Sequence, residues 1–183
     1  MIDAAVKCIL KYGADRISVE DIADAAGVSR RTLYRAYPTR RAIMSAVLLD
    51  RLREIARKVQ AVLAKCESFE DKVVYGTLET FRLVEADKVY TSLVAADPAL
   101  VRDYQHSPVA GALVQMFLSS WAKVFEDAQA EGLLRPDISL AQAEDWMLNV
   151  HILLDVRRDL SEKDCVDLLR RFVLPSMTSA SAG

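Results

Sequence analysis

The 183-residue sequence holds only 2 histidines and 3 cysteines, too few and too scattered for most metal and redox chemistry. Cys8, Cys66 and Cys165 are odd in number, far apart and without any CxxC pairing, so neither a disulfide framework nor a zinc site is indicated. Each is expected to pack as a small hydrophobe, and only Cys8, near Lys7 and Lys11, has the cationic neighbours a reactive thiol would need. His106 and His151 are isolated. The 6 glycines form no phosphate-cradling loop, and neither a GxSxG nor an HExxH pattern occurs. With no nucleophile paired to a base, no catalytic residue, metal or cofactor is expected. Apolar runs stop well short of the roughly 18 residues that a membrane span needs. The first residues pattern as an amphipathic helix rather than a signal peptide, which predicts a cytoplasmic protein with no membrane association. No segment sustains the two-residue alternation of a strand, so the expected fold class is all-α.

What is present is a large apolar fraction and an uneven charge. Hydrophobic residues make up 52% of the chain, ample for a core. The net charge of −2 conceals a basic first third: residues 1–65 carry 13 Lys/Arg against 7 Asp/Glu, and residues 66–183 carry 11 against 19. A basic module on an acidic body directs attraction for a polyanion at one end.

Residues 16–43, RISVEDIADAAGVSRRTLYRAYPTRRAI, concentrate the information. Ser18 followed by Asp21 reads as a capping box, and Val19, Ile22, Ala23 and Ala26 recur at helical spacing, predicting a helix over residues 19–26. Gly27 ends it, since glycine enters the left-handed region without a Cβ clash. Ser29 then caps a second short helix. Helix, tight turn and helix in this order form a helix-turn-helix.

The charge placement points to an anion. A helix N-terminus is partly positive, so cations in the first turn cost about 0.3–1 kcal/mol. Arg30 and Arg31 nevertheless follow Ser29, and Arg40 and Arg41 follow Thr39, the cap of the next helix. A phosphate backbone lying across both starts reverses the sign of that cost. The competing reading is a solvated arginine face.

Across about 45 residues this segment resembles the N-terminal domain of the tetracycline-repressor (TetR) family of bacterial transcriptional regulators. The matching residues are Ala4, Ala5, Gly13, Ser18, Val19, Ile22, Ala23, Ala26, Gly27, Val28, Ser29, Thr32, Leu33, Tyr34, Tyr37, Pro38, Arg40 and Ile43. The resemblance implies that Arg30, Arg31, Thr32, Tyr34 and Arg35 lie on the recognition helix, with Ser18, Tyr34, Tyr37 and Arg40 near phosphates. The caps Ser29 and Thr39 complete the candidate DNA surface. Two positions depart from the family pattern. Arg31 stands where a small residue is frequent, adding a base-reading arm, and Ala36 where an aromatic or histidine is frequent, removing a phosphate contact.

The remainder reads as further helices, about nine in all. Ser68 with Asp71 starts one that ends near Asp87, and a shorter one covers residues 89–96. Asp97-Pro98 and Ser107-Pro108 each join a cap to a proline at the first helical position. A long helix over residues 108–131 is closed by Gly132. Ser139 with Gln142 opens a helix through about Arg157, and Ser161 with Asp164 opens a last one expected to end before Pro175. The expected organisation is a DNA-binding domain over residues 1–46, a helical effector-binding and dimerisation domain over 47–175, and a flexible tail over 176–183.

Two of these helices are too apolar for a monomer's surface. Trp146, Val150, Leu153, Leu154, Leu169, Phe172 and Val173 are therefore expected at a two-fold interface, the mode in which the family similarly dimerises. An intramolecular core is the competing reading. Tyr75, Phe81, Tyr90, Met116, Phe117, Trp121, Trp146 and Met147, around the lone His151, are candidates for an effector pocket, each also able to serve as plain core. The expected partners are operator DNA, a second copy of the chain and a small apolar or aromatic effector. The expected function is a ligand-responsive dimeric repressor on a palindromic operator. The alternative is a helical ligand-binding or protein-interaction module that no longer uses DNA.

Overall fold

The computed structural model describes residues 1–102, 108–157 and 159–179. Among these the chain is helical, with one isolated bridge, between Leu134 and Thr178, as its β-type pairing. The helices are α1 (Ile2–Tyr12), α2 (Val19–Ala26), α3 (Arg30–Ala36), α4 (Arg40–Leu63), α5 (Phe69–Ala86), α6 (Lys88–Ala96), α7 (Ala99–Arg102), α8 (Pro108–Ala130), α9 (Leu140–Val156), α10 (Glu162–Leu168) and α11 (Leu174–Met177), with a π-helical turn over Leu169–Val173. The expected boundaries follow the caps. The Ser18, Ser139 and Ser161 hydroxyls each accept the N–H three residues on, and Asp21, Gln142 and Asp164 return the bond to the cap's own N–H. The Ser107 cap lies outside the described residues.

One compact unit is built from residues 1–55 and 83–113. Its core joins Ala5, Ile9, Ile22, Leu33, Ile43, Val47, Leu48 and Leu93, all at most 2% exposed. Burying each large aliphatic side chain contributes about 1.5–3 kcal/mol. α1 packs on α2 and on α6, where Ser92 Oγ accepts the Ala14 N–H at 2.9 Å. A second compact unit holds residues 56–82 and 114–183. Its core includes Leu63, Val73, Val74, Trp121, Phe125, Met147, Val150, Leu169 and Val173.

The last helical segment departs from expectation. It does not stop before Pro175 but runs on to Met177. A proline inside an α-helix removes a donor and presses its ring on the carbonyl four residues back. Here the preceding turn is widened by one residue, with the Leu174 N–H donating to the Leu169 carbonyl, and the register shift lets Pro175 sit early in α11. The segment expected to be a free tail is docked as far as Ser179. Met177 is buried, its carbonyl accepts the Arg135 N–H at 2.9 Å, and the Ser179 N–H donates to the Leu133 carbonyl at 3.0 Å. Residues 180–183 lie outside the described set.

Candidate nucleic-acid interface

α2 and α3 meet through a turn that only a small set of sequences can make. Gly27 holds φ 65° and ψ 31°, the left-handed conformation that favours glycine, and its N–H donates back to the Ala23 and Asp24 carbonyls. Ser29 then caps α3 by accepting the Thr32 N–H at 3.1 Å. Leu33, fully buried, is the single core residue of α3, so the rest of that short helix faces outward. Arg31 and Arg35 are exposed, while Thr32, Tyr34 and Tyr37 are half-buried. Ser18 is committed to its capping box, and the hydrogen bond from its side chain holds the Asp21 carboxyl below its usual range. Thr39 Oγ1 accepts the Ala42 N–H at 3.0 Å, capping α4.

The four arginines at the two helix starts divide into distinct groups. Arg30 forms an ion pair with Glu20 of α2, and its guanidinium lies 5.4 Å from the centre of the Tyr34 ring. The Tyr34 side chain and then the Glu20 charge hold that guanidinium above its ordinary pKa. Arg41 pairs with Asp97 at 3.4 Å. Arg40 donates from Nη2 to the Ala14 carbonyl and from Nε to the Ile17 carbonyl, tying the start of α4 to the chain between α1 and α2. Arg31 has no acidic partner among the described residues. Protein acids thus relieve part of the dipole cost at Arg30 and Arg41, and the case for an external anion rests most heavily on Arg31. Sequence reasoning missed Glu20 and Asp97 as partners, because neither lies within one helical turn of the arginine it meets.

Residues 1–47 match the family of bacterial regulatory proteins described as the tetR family. The N-terminal domain is a TetR-family domain. An uncharacterised HTH-type transcriptional regulator of Mycobacterium tuberculosis is 41% identical over 59 residues, 32% of this chain and 31% of the relative. The alignment with that relative therefore spans about a third of its length. A second uncharacterised HTH-type regulator of the same species is 25% identical over 186 residues, covering 100% of this chain and 86% of the relative. The crystal structure of the TetR family repressor AlkX from Dietzia sp., implicated in biodegradation of n-alkanes, has a TM-score of 0.69 at 16% identity, covering 97% of this chain and 95% of that one. That likeness extends the TetR-type fold beyond the matched domain, and the family is one of regulators rather than enzymes.

Outside the TetR-family domain, the second unit gathers four of the aromatic candidates. His151 stacks on Phe81 at 5.4 Å between ring centres and meets Phe117 and Trp121 edge-on at 4.7 and 5.5 Å. Its Nε2 is 3.2 Å from Thr77 Oγ1, in a pair that is 6% and 0% exposed. Burial pushes His151 down to about 3, so the ring is neutral at ordinary pH. Met147 is buried in the same unit and Met116 is half-buried. Tyr75 is exposed instead, and Tyr90 belongs to α6 of the first unit.

Among the candidate interface residues, Val150, Leu154, Leu169 and Val173 are buried within the chain. Trp146, Leu153 and Phe172 are left 44, 50 and 71% exposed. A helix that looked apolar all round therefore divides into an inner face and an uncovered outer one.

Proposed function

We propose that the protein is a sequence-specific, DNA-binding transcriptional regulator acting as a dimer that responds to a small apolar or aromatic effector. The observation that carries this reading is the outward face of α3, where Arg31 and Arg35 project from a helix anchored by Leu33 and set by the Gly27 turn. A recognition helix enters the major groove and reads base edges with its N-terminal residues. The candidate contacts are Arg30, Arg31, Thr32 and Arg35 toward bases and Ser18, Ser29, Tyr34, Tyr37, Thr39 and Arg40 toward the backbone. Since Arg40 already donates to two carbonyls, its role is to present α4 as well as to add charge. Trp146, Leu153 and Phe172 supply the outer apolar surface that a second copy would cover, placing two recognition helices on a palindromic operator.

The effector reading is supported by the rings around His151 and by the connection of AlkX with n-alkane degradation. α4, α5 and α8 each begin in one compact unit and end in the other. Three continuous helices thus run between the unit of the proposed effector site and that of the proposed DNA site, and any coupling between the two sites must be reciprocal.

Duplexes tiled across the DNA flanking the coding region, titrated with the full chain at several salt concentrations, test the core of this proposal. One duplex should bind at least about 1,000-fold tighter than the rest, with affinity falling steeply as salt rises. Equal binding to every duplex, or none to any, would sink it.

A further inference from the structure

Arg30 is restrained from two directions. Glu20, in the first turn of α2, reaches across to its guanidinium, and Tyr34, one turn further along α3, lies beneath it at 5.4 Å. The positive end of α2 accounts for an acidic residue at position 20, but it does not require that carboxylate to meet a side chain of the next helix. Both partners stay exposed, at 60 and 51% of their side-chain surface, so the pair is not there to satisfy buried charge. The pair biases the placement of a long cation at the N-terminal turn of α3, a modest restraint because both groups are exposed. An unrestrained arginine loses its rotamer freedom only when it meets its target, which weakens the contact.

We propose that Glu20 is a specificity-determining positioning residue: it holds Arg30 so that the guanidinium edge not used by the carboxylate meets O6 and N7 of one guanine in each half-site. The proposal rests on the DNA-binding reading above. The guanidinium fork has five N–H donors; Nη1 serves Glu20 and the Tyr34 side chain takes a further hydrogen bond, and the donors left over serve a bidentate contact with guanine. Arg31, with no acidic partner among the described residues, lacks this restraint. The Glu20 charge also repels phosphates, so it favours the duplex that compensates through Arg30 over one that offers backbone alone.

The test is selection from a pool of random-sequence duplexes by the full chain and by Glu20→Gln, Glu20→Ala, Arg30→Ala and the Glu20→Gln/Arg30→Ala double variant. The wild type should enrich a half-site in which one guanine is preferred about five- to 150-fold, and Arg30→Ala should remove the preference at that position alone. Both Glu20 variants should cut the same preference by about two- to fivefold while binding unselected duplex at least as tightly as wild type. In the Arg30→Ala background Glu20→Gln should add nothing. If the Glu20 variants leave the motif unchanged, or weaken every position alike, the positioning role is wrong and Glu20 serves only the stability of α2. If the wild type enriches no motif, the DNA-binding reading itself falls and takes this inference with it.

Discussion

Arg51 of α4 donates from both Nε and Nη2, at 2.9 and 2.8 Å, to one and the same oxygen of Asp87. The other oxygen of Asp87 accepts the Val89 and Tyr90 N–H groups at 3.0 and 2.9 Å and so caps α6, whose Ser92 accepts the N–H of Ala14 in the segment after α1. One carboxylate therefore joins the side of α4 to the start of α6.

Two variants separate these roles. Asp87→Asn keeps an acceptor for the cap but loses the charge, and should cost about 1–2 kcal/mol; Asp87→Ala loses both and should cost about 2–4 kcal/mol. Burial alone would raise the Asp87 pKa, but the Arg51 hydrogen bond, the Arg51 charge and the two backbone donors outweigh it and leave it lowered. A carboxyl depressed in the folded state contributes fully above its unfolded pKa, about 3.9, and loses that contribution as pH falls through its folded value. The gap between wild type and Asp87→Asn in urea-unfolding free energy should therefore be constant above about pH 5 and shrink toward acid. A gap independent of pH would show that the charge contributes nothing.

His151 sets a second acid limit. Its folded pKa, about 3, lies below the ordinary 6.5, so the native state binds fewer protons than the unfolded chain between those values. Stability should fall with decreasing pH across that window by up to about 1.4 kcal/mol per pH unit. Replacing His151 by Phe removes the proton uptake and should move the midpoint of acid unfolding to lower pH. Identical acid midpoints would mean that His151 is not held neutral.

Gly76 of α5 leaves no room for a side chain. A Cβ there would lie 2.5 Å from Leu63 Cδ2 and 2.8 Å from Trp121 Cη2, inside contact distance of an indole that is 2% exposed. Gly76→Ala should destabilise by about 1–3 kcal/mol despite the better helix propensity of alanine. At Gly111 in α8 nothing lies within 4 Å of the same position, so Gly111→Ala should stabilise by about 0.5–1 kcal/mol. Thermal unfolding of both variants decides it, and a stabilised Gly76→Ala would refute the packing.

The dimer proposal divides neighbouring residues on one helical stretch. Phe172 is 71% exposed and Leu169 is fully buried. Phe172→Glu should leave far-ultraviolet circular dichroism unchanged and give monomers by sedimentation, whereas Leu169→Glu should unfold the chain through an unpaired buried charge. A wild-type chain that sediments as a monomer at micromolar concentration removes the dimer from the account.

The sequence by itself determined the helices that carry their own punctuation and the identity of the N-terminal domain. Ser18 with Asp21, Ser139 with Gln142 and Ser161 with Asp164 set helix starts because both partners of a capping box lie within one turn. Gly27 set the turn because its left-handed backbone is a property of a single residue. Tertiary structure alone decided whom each side chain meets. Glu20 found Arg30 and Asp97 found Arg41, while Phe81, Phe117 and Trp121 closed on His151 and left Tyr75 and Trp146 at the surface. The π turn carried the chain past Pro175, and it was packing that divided buried Leu169 from exposed Phe172. Helical periodicity says which residues share a stripe, but which stripe is covered depends on helices far away in the chain.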